Sequence, residues 1–214
     1  MSGSVTDWLA SRLDARSGIE LVDRTPEDFL TVRDRNGKSF PVAVVGAQDI
    51  VTPEHVRPVL SHASKPEFIV NVPSKAIWSG PAISMTHAAP AAFGTMGELQ
   101  KAASTGYAPS YRNKTINFFE QAIRDHSNVS AITRLYDRVF QAHRCRGNSV
   151  TIALLDTYNM SAEDLRNARQ RYGAFDIAVK TTSYGAVTPA AKEAGASMGV
   201  EPLMFKELMR RLAQ

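Results

Sequence analysis

The sequence predicts an α/β protein whose mixed, partly parallel sheet is flanked by helices. Three observations predict it. Between residues 28 and 46 two strand-like runs flank an Asn36-Gly37 turn. Residues 42–45 are continuously apolar, as a strand covered on both faces is, and 68–72 and 150–155 are largely apolar runs. Hydroxyl-then-proline helix starts, Thr52-Pro53 and Thr188-Pro189, follow such runs. A helical crossover makes the strands that it joins parallel.

The elements follow in order. Residues 4–17 place Val5, Trp8, Leu9 and Leu13 near one helical stripe. Ser4 or Thr6 can cap that helix, and Gly18 can stop it. Residues 19–22 form a short strand, and 28–33 and 38–46 the two arms of a hairpin. Asn36-Gly37 fits a type I′ tip because both positions tolerate positive φ. A helix starts at Thr52-Pro53-Glu54 and is shortened or kinked by Pro58. Helices are expected over 81–88 and 96–103. Two more, over 115–125 and 129–143, are expected to bury Ile116, Phe119 and Ile123, then Ile132, Leu135, Tyr136 and Val139. Strands at 150–155, 175–180 and 201–203 alternate with helices at 161–171, 188–198 and 205–212.

Length and composition bound the class. The 214 residues suffice for one large domain or two smaller lobes. We divide them into an α/β lobe over 1–104 and, over 105–214, a basic helical pair followed by a second α/β lobe. No apolar run approaches the roughly 20 residues of a membrane span. The start of the chain lacks the basic and apolar blocks of a secretory leader, so the expectation is a cytoplasmic protein with no membrane partner. A single cysteine excludes an internal disulfide and a cysteine-rich zinc site.

Net charge is +4 and unevenly spread. Residues 112–146 hold seven basic groups, Arg112, Lys114, Arg124, Arg134, Arg138, Arg144 and Arg146, against three acids. That asymmetry points to a polyanion, and a solvated helical face would give the same count. Lys180, Ser183 and neighbouring hydroxyls lead into the helix start at Pro189, a candidate anion site. Asp176 and Lys180 share a strand face. Tyr107, Tyr111 and Trp78 can stack bases or close a core. Cys145 stands among cations but no base motif surrounds it, and the remaining histidines show no metal-ligand spacing. The stretches FIVNVPSKAIWSGPAISM and FDIAVKTTSYGAVTPAAK echo each other, and chance similarity of short α/β units is the reading taken.

Over residues 5–100 the element order and Asp28 resemble the restriction-endonuclease-like nucleases. The resemblance implies that core fold. It also implies an Asp opening the hairpin and an acid-x-Lys triplet ending its second strand, which together bind divalent ions that activate water. Asp28 stands at the first position. Residues 42–46 read Val-Ala-Val-Val-Gly, with neither acid nor lysine. The implied protein is therefore nuclease-like, without catalysis or cofactor. It would bind nucleic acid or regulate a DNA-processing or defence complex through Arg112, Lys114, Arg134, Arg138, Arg144, Arg146, Lys180 and Ser183. A protein partner or homo-oligomer is compatible with it. One alternative is an active Mg²⁺-dependent nuclease with a displaced site, Asp28, Asp49 and Glu20 as acids and Lys75 as the cation. Others are an interaction module without a nucleic-acid role, and a small-molecule enzyme using the Lys180 loop.

Overall fold

The computed structural model describes residues 4–13, 19–26, 28–34 and 36–214. The expected helix end over 14–17 and its Gly18 stop lie outside the described residues. Two compact units divide at Asn113/Lys114, so residues 105–113 go with the first.

The first unit opens with α1 (Val5–Ala10), where Ser4 and Asp7 form a capping box. Strands β1 (Ile19–Arg24), β2 (Leu30–Asp34) and β3 (Ser39–Val45) form an antiparallel meander. Then come β4 (Ile50–Val51), α2 (Pro53–Leu60), β5 (Phe68–Asn71), β6 (Ile77–Trp78), α3 (Gly80–Ala88), β7 (Ala92–Gly94) and α4 (Met96–Ala103). The sheet order is β1-β2-β3-β5-β7, with β3, β5 and β7 parallel, and β4 pairs with β6 separately. Residues 42–45 of β3 and 68–70 of β5 are apolar because both faces of these strands are covered. Val42, Phe68 and Val70 pack with Leu9 of α1 and Leu99 of α4. Ala43, Val45 and Ile69 pack with Val56 of α2 and Ile83 of α3.

The hairpin tip differs from the expected two-residue turn. Asp34 N donates to the Lys38 carbonyl at 2.9 Å, and Gly37 N to the Asp34 carbonyl at 3.1 Å, closing a three-residue loop. The buried Asp34 carboxylate accepts from Asn36 N and Lys38 N, a local bond set that outcompetes the tighter turn. Gly37, at φ 80°, takes the left-handed position.

The second unit comprises α5 (Lys114–Arg124), β8 (Val129–Tyr136), β9 (Val139–Arg144), β10 (Val150–Leu155), α6 (Ala162–Tyr172), β11 (Ile177–Lys180), α7 (Pro189–Met198), β12 (Glu201–Met204) and α8 (Phe205–Leu212). Its sheet order is β12-β11-β10-β9-β8. The helix expected over 129–143 is instead the β8–β9 hairpin, with Tyr136 opposite Val139 across Asp137-Arg138. The spacing of Ile132, Leu135, Tyr136 and Val139 mimics a helix because the chain reverses within it. The true signal is alternation: Phe140 and Ala142 are buried, while Gln141 and His143 are only half-buried. Val129, Ile132 and Thr133 favour that extended form.

Apart from the small β4–β6 pair of the first unit, both units run helix, three antiparallel strands, helix, parallel strand, helix, parallel strand, helix. In each, the last residues of the third and fourth strands pair: Val45 with Asn71, and Leu155 with Lys180. The echoing stretches fall on the same elements, β5 to α3 in one unit and β11 to α7 in the other. The likeness therefore reflects repeated placement, beyond a chance match of short units.

Phe140 is fully buried between α5 and the sheet. Phe140→Ala should lower unfolding free energy by about 3–5 kcal/mol. Urea denaturation checks this, and a loss under about 1 kcal/mol would contradict the hairpin packing.

Candidate functional site

Loops beyond the carboxyl ends of parallel strands are where α/β sheets build ligand sites. In the second unit that place is dominated by Lys180, the last residue of β11, 1% exposed. Its Nζ donates to the Thr182 carbonyl at 2.8 Å, and also to Thr182 Oγ1 and the Tyr184 carbonyl. Burial pushes its pKa below the ordinary lysine range, and the Asp156 carboxylate opposes that push. Thr182 Oγ1 donates to the Thr157 carbonyl at 2.8 Å, and Ala186 N to Asn159 Oδ1 at 2.9 Å. Gly185, at φ 75°, lies so near the Tyr158 backbone that a Cβ would stand 1.9 Å from the Tyr158 carbonyl oxygen. The loops after β10 and β11 are therefore sewn together. On them Tyr158 and Tyr184 stand 70% and 76% exposed.

The expected anion site is corrected accordingly. Lys180 is spent on its own loop and presents no cation to solvent, and Thr188 Oγ1 already accepts from Ala191 N at 3.1 Å at the start of α7. Ser183 remains exposed. Asp176, at the other end of the strand, accepts from Thr151 N at 2.7 Å.

In the first unit Asn71 holds the position of Lys180 and is 3% exposed. Its Oδ1 accepts from Ala47 N, and its Nδ2 donates to the Ala47 and Pro73 carbonyls, all at 2.8–2.9 Å. Beside it lies a cleft of about 560 Å³, walled by Trp8, Val70, Val72, Pro73, Met96 and Gly97.

The displaced-nuclease residues do not assemble in one place. Asp28 sits at φ 66° just before β2, and its carboxylate accepts from Arg24 Nε and, at 2.9 Å, from Thr6 Oγ1. Arg24 also bonds Asp7, holding that carboxyl below its usual range. Glu20 faces Arg33 at 4.0 Å, toward the opposite end of β2. Asp49 and Lys75 are exposed beyond β3 and β5. Among the described residues, no three His, Cys, Asp or Glu side chains are grouped to hold a metal ion.

The basic residues are also dispersed. Arg112 donates to the Pro109 and Tyr111 carbonyls in the first unit. Arg134 reaches the Tyr136 and Asp137 carbonyls and lies 5.2 Å from the Phe140 ring centroid. Arg138 is half-buried in the β8–β9 turn, while Arg144, bonded to the Asn148 carbonyl at 2.6 Å, lies at the far end of β9. Along a strand of about 3.4 Å per residue, the two ends stand roughly 17 Å apart. Lys114 and Arg146 are exposed.

Sequence reasoning missed Asn71, the exposed face of Trp8, and the Tyr158–Tyr184 pair. Only the position of Asn71 at the end of an apolar strand could have signalled its role. It also missed His143, which bridges Thr133 Oγ1 at 3.0 Å and Ser149 Oγ at 3.2 Å. A hydroxyl stands where a serine triad would put its carboxylate, so the trio is structural.

Compared with protein-family models, with curated proteins and with solved structures, the chain finds no match.

Lys180→Met should destabilise the protein by about 1–3 kcal/mol by leaving carbonyls without a donor. The effect is also pH-dependent. A lysine with a depressed folded pKa binds fewer protons folded than unfolded, so wild-type stability rises as pH climbs through that window toward 10.5. The gap between wild type and variant should therefore widen with alkaline pH, measured by urea unfolding. A gap that narrows would contradict the buried cation.

Proposed function

We propose that this protein is a nuclease-like scaffold that binds nucleic acid, or regulates a complex that processes it, without cleaving it. The order helix, meander, helix, parallel strand in the first unit supports the restriction-endonuclease-like reading. The observation that carries the non-catalytic part is the occupancy of the strand ends. Asp28 is committed to Arg24 and Thr6, and β3 ends in Val44 and Val45, which cannot ligate a metal or orient water. In the second unit β10 ends in Leu154 and Leu155, both buried. The exposed cations Lys114 and Arg146, with the half-buried Arg138, supply phosphate contacts.

A second reading, a protein-interaction module, is favoured by Tyr158 and Tyr184. Rigid exposed tyrosines offer large amphipathic contact area at low entropic cost.

The protein should leave plasmid, linear duplex and single-stranded substrates intact in Mg²⁺ or Mn²⁺. Cleavage that disappears in Asp28→Ala would show the non-catalytic reading to be wrong. Its affinity for duplex should fall with salt, with a log–log slope of about −0.9 per neutralised phosphate. Reversing Lys114, Arg138 and Arg146 together should weaken binding and flatten the slope, with circular dichroism unchanged. If wild type shows no salt-sensitive binding to duplex or single strands, the interaction module takes its place.

A further inference from the structure

Phe118 departs from the burial pattern of α5. Ile116, Phe119 and Ile123 of that helix are buried, as its apolar stripe requires. Phe118 is 54% exposed. Its ring centroid lies 5.2 Å from that of Phe205, at the start of α8, and 5.6 Å from that of Phe119. Just past α5, His126 Nε2 lies 3.0 Å from the Met209 carbonyl oxygen, and Asn128 Nδ2 donates to the Leu212 carbonyl at 2.9 Å. The two helices therefore run side by side in the same direction. One turn on from Phe118 and Phe205 stand Ala122 and Met209, both half-buried. These four residues line an apolar seam between parallel helices. Its rim is basic. Lys114, one turn before Phe118, and Lys206 and Arg210, one turn apart on α8, are all exposed. Among the described residues none of these three meets a carboxylate, whereas Arg124 and Arg211 are paired with Glu120 and Glu201. The nearby acids are engaged or distant. Glu207 accepts from Met204 N at 2.7 Å, and Asp125 lies past the end of α5.

An exposed apolar seam rimmed by unanswered cations calls for a partner with hydrocarbon at its centre and negative charge at its flanks. A second copy of this chain does not fit, because an isologous contact would set the three cations against themselves. A phosphate backbone would answer the cations but leave Ala122 and Met209 wet. A lipid surface would reach Phe118 but not the half-buried pair beside it. Two parallel helices leave a groove into which a third helix packs its side-chain ridge, and apolar residues at i, i+3, i+4 and i+7 then reach the whole seam. We propose that the α5–α8 seam docks an acidic amphipathic helix of a partner protein, its apolar stripe on Phe118 and Met209 and its carboxylates on Lys114, Lys206 and Arg210. Of these residues only Lys114 also serves the nucleic-acid reading, and the docking does not rest on that reading.

Titrate a fluorescein-labelled synthetic helix, leucine at i, i+3, i+4 and i+7 and glutamate elsewhere, with the full chain and read anisotropy. Binding should saturate and weaken with salt, and the same helix with lysine for glutamate should not bind. Phe118→Ala should weaken binding about tenfold, with circular dichroism unchanged. Joint reversal, Lys206→Glu with Arg210→Glu, should lose the glutamate helix and gain the lysine helix, a swap that mere structural damage would not produce. The proposal is overturned if wild type does not bind the glutamate helix, binds both helices equally, or binds as well without Phe118. It is also overturned if octathymidylate or phosphatidylglycerol vesicles bind in a Phe118-dependent way and the helix does not, since the face then belongs to nucleic acid or lipid.

Discussion

The central parallel strands of each sheet must be covered on both faces, and most of the architecture follows from that requirement. Val42, Ile69 and Val70 in the first unit, and Ile152, Ala153 and Ala178 in the second, expose almost nothing. Burying such strands contributes about 25 cal/mol per Å² of apolar surface removed from water, and here helices on both sides remove it. Hence α1 and α4 lie on one face of the first sheet, with α2 and α3 on the other. The second unit meets the same requirement with the same element order. The antiparallel meander supplies one edge of each sheet, β1 and β8, which is less buried, and the parallel strands β7 and β12 form the other.

Doubly covered strands create a problem at their carboxyl ends. The chain must leave the sheet there in loops whose polar groups are partly sealed from water, and such groups need partners. Each unit answers with one buried polar side chain at the last residue of the fourth strand. Asn71 does so as a neutral amide that both donates and accepts. Lys180 does so as a cation that only donates, enclosed by carbonyl and hydroxyl oxygens. The two solutions leave different surfaces. The amide leaves a neighbouring cleft open in the first unit, and the lysine sews its loops together and lifts two tyrosines into solvent.

These solutions bear on chemistry. A metal-dependent nuclease needs carboxylates converging on one point. Here the strand ends are given to loop closure, and Asp28 belongs to a surface network with Arg24, Asp7 and Thr6. Exposed ion pairs of that kind contribute little to stability. They do orient Asp28, which helps explain a non-glycine residue at positive φ.

The sequence alone determined the strands with largely apolar runs, the hydroxyl-capped helices between them, and hence the mixed sheet, because burial periodicity and caps are local signals. Residues 96–103, 150–155 and 205–212 were legible to their ends for that reason. Residues 129–143 were not, because a chain reversal at Asp137-Arg138 placed apolar residues at spacings that imitate a helix. Short β7 was missed because three residues carry no period. The candidate site was least legible. A lysine beside hydroxyls reads as an anion site in one dimension, and an aspartate before a strand reads as a metal ligand. Whether Lys180 faces solvent or its own loop, and whether Asp28 meets another acid or Arg24, depends on contacts between residues distant along the chain. Only the tertiary structure decided those, because burial and pairing belong to the packed fold rather than to any local stretch.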